Sequence, residues 1–298
     1  MNTIINATPR HANLLFSGLL ILVFAVLSGC STVRVAYNQA DTLLGWMAND
    51  YFDFDSSQKS EFNTRLDTLL KWHRQEQLPE YSRFLAEIKQ RTQRAATRED
   101  ALWLTDGAKA RFRVLALKGA ADATELLATL TPDNIQALEK RFDKINQDFV
   151  KEHKINGTQD ERRRARLERT FKRIREWTGP LTPAQEERIN ALNDTIPYTD
   201  HLRHQERQRR QREFLALLTK RQAKGEFART LRPWLADWEA GRPPEVKTAL
   251  NEGYDKRIAL YLEVERMLTP QQRQRLQQKI DGYIEDLNAL AARNVAAK

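Results

Sequence analysis

The residues with the widest chemical reach are one thiol, one histidine pair and two runs of arginine. Cys30 is the single cysteine of the 298-residue chain, so it has no partner for an internal disulfide, and its thiolate is the softest nucleophile present. His201 and His204 stand three residues apart, which on a helix puts both imidazoles on one side, near Asp194 or Asp200 as further metal ligands. Two surface histidines beside a basic run are the plainer reading, because neither H-E-x-x-H nor a second cysteine accompanies them. No metal and no cofactor is therefore expected. No G-x-S-x-G, P-loop or dinucleotide fingerprint occurs either, and the chain reads as a binding or structural protein, not an enzyme.

The arginines carry the net charge of +9. Residues 151–180 hold ten Lys and Arg against five Asp and Glu, and residues 201–232 hold ten against three. Arginine suits bidentate contact with phosphate or carboxylate, and two such helices side by side would create a positive field of several kT. Arg163, Arg166, Arg209 and Arg212 are the candidate anion-binding residues. The competing reading is a solvated face laced by pairs such as Glu168 with Lys172 and Glu206 with Arg210, each four apart.

The elements that must position these groups begin after a targeting segment. Arg10 precedes an apolar run, Leu14 to Val26, whose helical length of roughly 20 Å falls short of a bilayer core of ~30 Å but suits the apolar region of a secretory signal. With a mean hydropathy of −0.67, the rest of the chain reads as soluble. The run ends in Leu27-Ser28-Gly29-Cys30, which resembles the lipobox of bacterial lipoproteins. That resemblance implies removal of residues 1–29, a diacylglycerol thioether on Cys30 and an acylated new amine (palmitate being the typical chain), leaving 30–298 as the mature protein. Ser31 stands where lipoproteins of the inner membrane often carry Asp, so the same resemblance implies the outer membrane of a Gram-negative envelope, periplasmic side. The other reading of Cys30 is a buried thiol in an uncleaved anchor helix.

Beyond Cys30 the apolar positions recur by threes and fours, as in Tyr81, Phe84, Leu85, Ile88 and in Leu138, Phe142, Ile145, Phe149. This spacing predicts helices, and no stretch alternates with the period of a strand. An all-α bundle of about ten helices in antiparallel hairpins is expected, with breaks at prolines and glycines including Pro79, Pro132, Pro183, Pro233 and Pro270. A joint at Asn156-Gly157 or in the stretch Trp177 to Pro183 would divide it into two lobes, the first of these giving 30–156 and 157–298. Trp234 and Trp238, four apart, are expected on one helical face, as core or as the wall of a groove.

Four segments share one grammar: Phe54-Asp55-Ser56-Ser57-Gln58, Leu130-Thr131-Pro132-Asp133-Asn134, Leu181-Thr182-Pro183-Ala184-Gln185 and Leu268-Thr269-Pro270-Gln271-Gln272. Thr131, Thr182 and Thr269 are placed to cap a helix, proline suits its first position, and the amide three residues on, Gln185 or Gln272, can reach back to complete a capping box. Good capping alone could account for the pattern. It is also similar to the L-T-x-x-Q signature of Spy-type periplasmic chaperones. The plan of lipobox followed by helices opening Val33-Arg34-Val35-Ala36-Tyr37 resembles a family of uncharacterised bacterial lipoproteins that carries no known activity.

Three functions are therefore expected in competition. The first is a lipid-anchored periplasmic protein binding envelope proteins, chaperone-like or as an adaptor. The second is a binder of anionic envelope polymers, lipopolysaccharide or peptidoglycan, through the arginine helices. The third is a purely structural envelope lipoprotein. None includes nucleic acid, which an exported protein rarely meets.

Overall fold

The computed structural model describes residues 32–292, and all of the secondary structure there is helical. Leu27, Ser28, Gly29 and Cys30 lie outside the described residues. By contacts the chain falls into an N-terminal unit ending at Ala40, which holds α1 (Thr32–Asn38), and a unit running from Asp41 to the C-terminus. No helix among the described residues is long and apolar enough to cross a membrane. After α1 come α2 (Ala40–Phe52), α3 (Ser56–Trp72), α4 (Leu78–Arg91), α5 (Arg98–Ala128) and α6 (Pro132–Glu152). They are followed by α7 (Gln159–Thr178), α8 (Pro183–Asp194), α9 (Asp200–Leu218), α10 (Lys224–Ala236), α11 (Pro244–Arg266) and α12 (Pro270–Ala292).

Most prolines act as the sequence predicts, opening a helix. Pro79 does not break the chain. Instead, residues His73–Gln77 form a π-helical turn that joins α3 to α4, with the Leu78 N–H bonded five residues back to the His73 carbonyl. A proline ring clashes with the carbonyl four residues before it, and the wider turn absorbs that clash without a loop.

Within the unit from Asp41 onward, long-range packing pairs early helices with late ones. α4 packs along α12, α5 along α10, and α6 against α9, while α7 meets α12 and α8 meets α11. Two buried clusters result. One gathers Phe54, Leu126, Leu127, Leu130, Leu138, Leu218, Phe227 and Leu231. The other gathers Ile174, Ile189, Ile196, Leu260 and Val264. Each such side chain withdrawn from water contributes about 1.5–3 kcal/mol.

A pair of capped helix starts sits at each cluster. Thr182 and Thr269 accept from the N–H groups of Gln185 and Gln272, and each glutamine Oε1 returns the bond by accepting from the threonine N–H, both at 3.0 Å. The two buried amides then face each other. Gln185 Nε2 donates to Gln272 Oε1 at 2.8 Å and Gln272 Nε2 donates to Gln185 Oε1 at 2.9 Å. Each also donates to the backbone before the other helix, Gln185 to Met267 O at 2.8 Å and Gln272 to Pro180 O at 2.7 Å.

The first cluster repeats the plan with shorter parts. Gln58, boxed with Asp55, donates to Asn134 Oδ1 and to Thr129 O, both at 2.9 Å. Asn134, boxed with Thr131, donates to Phe52 O at 2.8 Å and Asp53 O at 3.0 Å. Asparagine is one methylene shorter, so its amide turns to the backbone and the pair is one-way. The four segments thus form two amide clasps, Gln58 with Asn134 and Gln185 with Gln272, one at each apolar cluster.

Candidate anion-binding cleft

α9 begins at Asp200, a buried carboxylate that anchors the positive groups around it. Arg169 of α7 donates to its Oδ2 at 3.0 Å, and His153 Nδ1 lies 2.9 Å from the same oxygen. One turn on, Arg203 lies near enough to Arg257 of α11 to disfavour its charge, as Arg173 does, and Arg173 and Arg169 act likewise on Arg203. Burial first, then repulsion from Arg203, pushes Arg257 down to about 10, so it stays charged at neutral pH. Arg203 is open to solvent yet sits amid enough protein that desolvation holds it below the usual arginine range. Asp200 opposes both shifts but is already engaged.

These two arginines line a cleft of about 760 Å³ between α5, α9, the α10–α11 connection and α11. Most other charges in its walls are matched. Arg98 pairs with Asp255 at 2.7 Å, Lys109 with Glu239 at 3.0 Å, and Arg242 with Glu206 at 3.2 Å. Arg207 lies over the Phe149 ring, 4.7 Å from its centroid. Among the described residues, Arg203, Arg207 and Arg257 have no carboxylate within ion-pair distance, and only Asp106 of the cleft's acids is likewise unpaired. The hydroxyls of Thr105 and Tyr254 share a hydrogen bond in the same wall, and Trp238 stands at its edge, packed edge-on against Phe112 at 4.7 Å. Such a lining can hold a multivalent oxyanion by charge-assisted hydrogen bonds and offer an aromatic face to whatever carries it.

Residues 50–247 match a family of unknown function, DUF6279. The match spans two thirds of the chain and takes in the first clasp, all of α5 and all of α9. The chain belongs to the DUF6279 family. No curated protein and no solved structure matches it. Within the DUF6279 match lie Arg203 and Arg207, whereas Arg257 and the second partner of the second clasp lie beyond it.

The arginines singled out from the sequence of this DUF6279 protein are placed differently from one another. Arg163 makes two bonds of 2.7 Å to Asp194 and a third, of 2.8 Å, to Asn190. Arg166 is half-buried and donates to Ile196 O at 2.8 Å, with desolvation lowering its pKa. Arg209 bonds Glu206 and Glu213. Arg212 is exposed. The structure therefore gathers a different subset, Arg203, Arg207 and Arg257, at the cleft. Arg203 and Arg207 belong to the basic run that the charge count finds. Arg257 stands in a neutral stretch, and no signal in its own neighbourhood marks it.

The two histidines also separate. His201 stacks on Tyr198 and His204 on Phe149, and burial lowers the pKa of His204. Trp234 and Trp238 do not share a helical face as expected, because α10 ends at Ala236 and Asp237 is extended. Pro233 lies inside its last turn and offers no N–H to the carbonyl of Arg229. Trp234 stacks on Phe214 and joins the first apolar cluster, while Trp238 goes to the cleft.

Proposed function

We propose that this protein is a non-catalytic lipoprotein, held through acylated Cys30 at the periplasmic face of the outer membrane, that captures an anionic group of an envelope polymer in the cleft between α5, α9 and α11. The observation that carries the reading is the pair Arg203 and Arg257: two cations without acidic partners in a concave site. Charges held this way weaken the folded state, and an arriving oxyanion offsets that cost with bidentate bonds. Phosphates of lipopolysaccharide and carboxylates of peptidoglycan have the required chemistry. The client-protein reading draws on the similarity of the capped helix starts to Spy-type chaperones. The polymer reading stands ahead of it because the cleft's unpaired charges are three arginines against the single carboxylate of Asp106.

Binding of the detergent-solubilised full chain to lipopolysaccharide and to peptidoglycan sacculi tests this directly. The double variant Arg203→Ala/Arg257→Ala should lose about tenfold or more in affinity, since one charge-assisted contact is worth ~1.5–3 kcal/mol. Arg163→Ala, which removes an arginine already paired with Asp194, should leave affinity within about twofold. Equal retention of the double variant and the wild type would overturn the proposal.

A further inference from the structure

α2 presents an apolar face that nothing covers in the unit it belongs to. Leu43, Leu44, Trp46 and Met47 fall within one side of the helix and are 42%, 37%, 69% and 57% exposed. The side turned away is used: Ala48 and Phe52 pack against the first apolar cluster with Tyr51 at the margin of the exposed face, while Asp50, on the exposed side, pairs with Arg141 at 2.8 Å. Four large apolar side chains on one turn and a half of helix form a patch that isolated surface residues do not. The charge on the exposed face, Asp50, is matched by Arg141, so the face offers no net charge to an acidic or a basic protein surface.

The sequence position of α2 selects the occupant. Thirteen residues separate Cys30 from Leu43, a contour of at most ~45 Å and far less where the chain is helical. A helix so close to an acylated cysteine is held at the bilayer surface whatever its own affinity. Trp and Leu exposed together on one face suit a helix at the interfacial layer, where Trp is enriched and apolar faces bury. We infer that the Leu43, Leu44, Trp46 and Met47 face of α2 docks onto the lipid bilayer surface as a second attachment beside the acyl chains, fixing how the protein is oriented on its membrane. This rests on the lipid-anchor reading.

The test exploits the single cysteine. In the acylated full chain Cys30 has no free thiol, so Met47→Cys and, as a control at an exposed site remote in sequence, Lys247→Cys each give one nitroxide position. The labelled chains are reconstituted into vesicles of phosphatidylethanolamine and phosphatidylglycerol, and relaxation by oxygen and by a water-soluble nickel complex is compared. The label at 47 should show severalfold less nickel access than the label at 247 with oxygen access retained or raised. Nickel access equal at the two sites overturns the inference, as does protection from both agents, which would mean that protein covers the face. The mass of the N-terminal peptide and the number of labels per chain report the acyl groups separately, so a missing anchor is distinguished from an undocked helix.

Discussion

Gln185 uses every hydrogen-bonding position its amide has. Its Oε1 accepts from Thr182 N and Gln272 Nε2, and its Nε2 donates to Met267 O and Gln272 Oε1. Glutamate closes an ordinary capping box as well as glutamine does, but it has no N–H to give. The amide in these segments is thus explained by the clasp and not by the cap. Gln185→Glu should keep the box, yet face Met267 O and Gln272 Oε1 with acceptors. A loss of about 2–4 kcal/mol in urea unfolding at neutral pH is expected, and a loss below 0.5 kcal/mol would mean that the clasp contributes little. The caps were legible in the sequence because they are local, three residues from threonine to amide. The pairing across 76 and 87 residues was not, since a capping box looks the same whether or not a second box faces it.

At the scale of elements, the helices follow from apolar spacing and proline placement, and the departures have local causes. Pro79 is accommodated by the π-helical turn, and Pro233 lies in the last turn of α10, separating Trp234 from Trp238. A closer approach occurs where α4 meets α5. A Cβ on Gly107 would lie 2.5 Å from the Phe84 ring, which is also capped by Arg111 at 3.7 Å and packed on Trp103 at 4.8 Å. The ring cannot retreat from both neighbours. Gly107→Ala, favourable by helix propensity alone, should instead destabilise by about 1–3 kcal/mol. An unchanged or raised midpoint in urea would show that the Phe84 ring moves freely. No pattern in the sequence marks this glycine, because its constraint comes from a different helix.

At the scale of the whole molecule, two apolar clusters each carry an amide clasp, and the arginine-rich helices α7 and α9 supply charge to the region between α5 and α11. Charge counting located those helices but could not separate arginines engaged by Asp194, Glu206 and Glu213 from those left open. That distinction depends on which acidic side chains the fold brings alongside, and Arg257 joins the cleft from a stretch of no net charge. The family match covers Arg203 and Arg207 and supplies no activity, so the account rests on the imbalance of charge in the cleft. If Arg203 and Arg257 are kept for binding, they lower stability when the cleft is empty. Thermal unfolding of wild type and of Arg203→Met/Arg257→Met, at fixed ionic strength with and without pyrophosphate, reads this directly. The account predicts that the variant melts about 2–5 °C higher than wild type without the anion, and that pyrophosphate raises the wild type alone. A variant that melts lower than wild type, with both proteins responding equally to pyrophosphate, would contradict it.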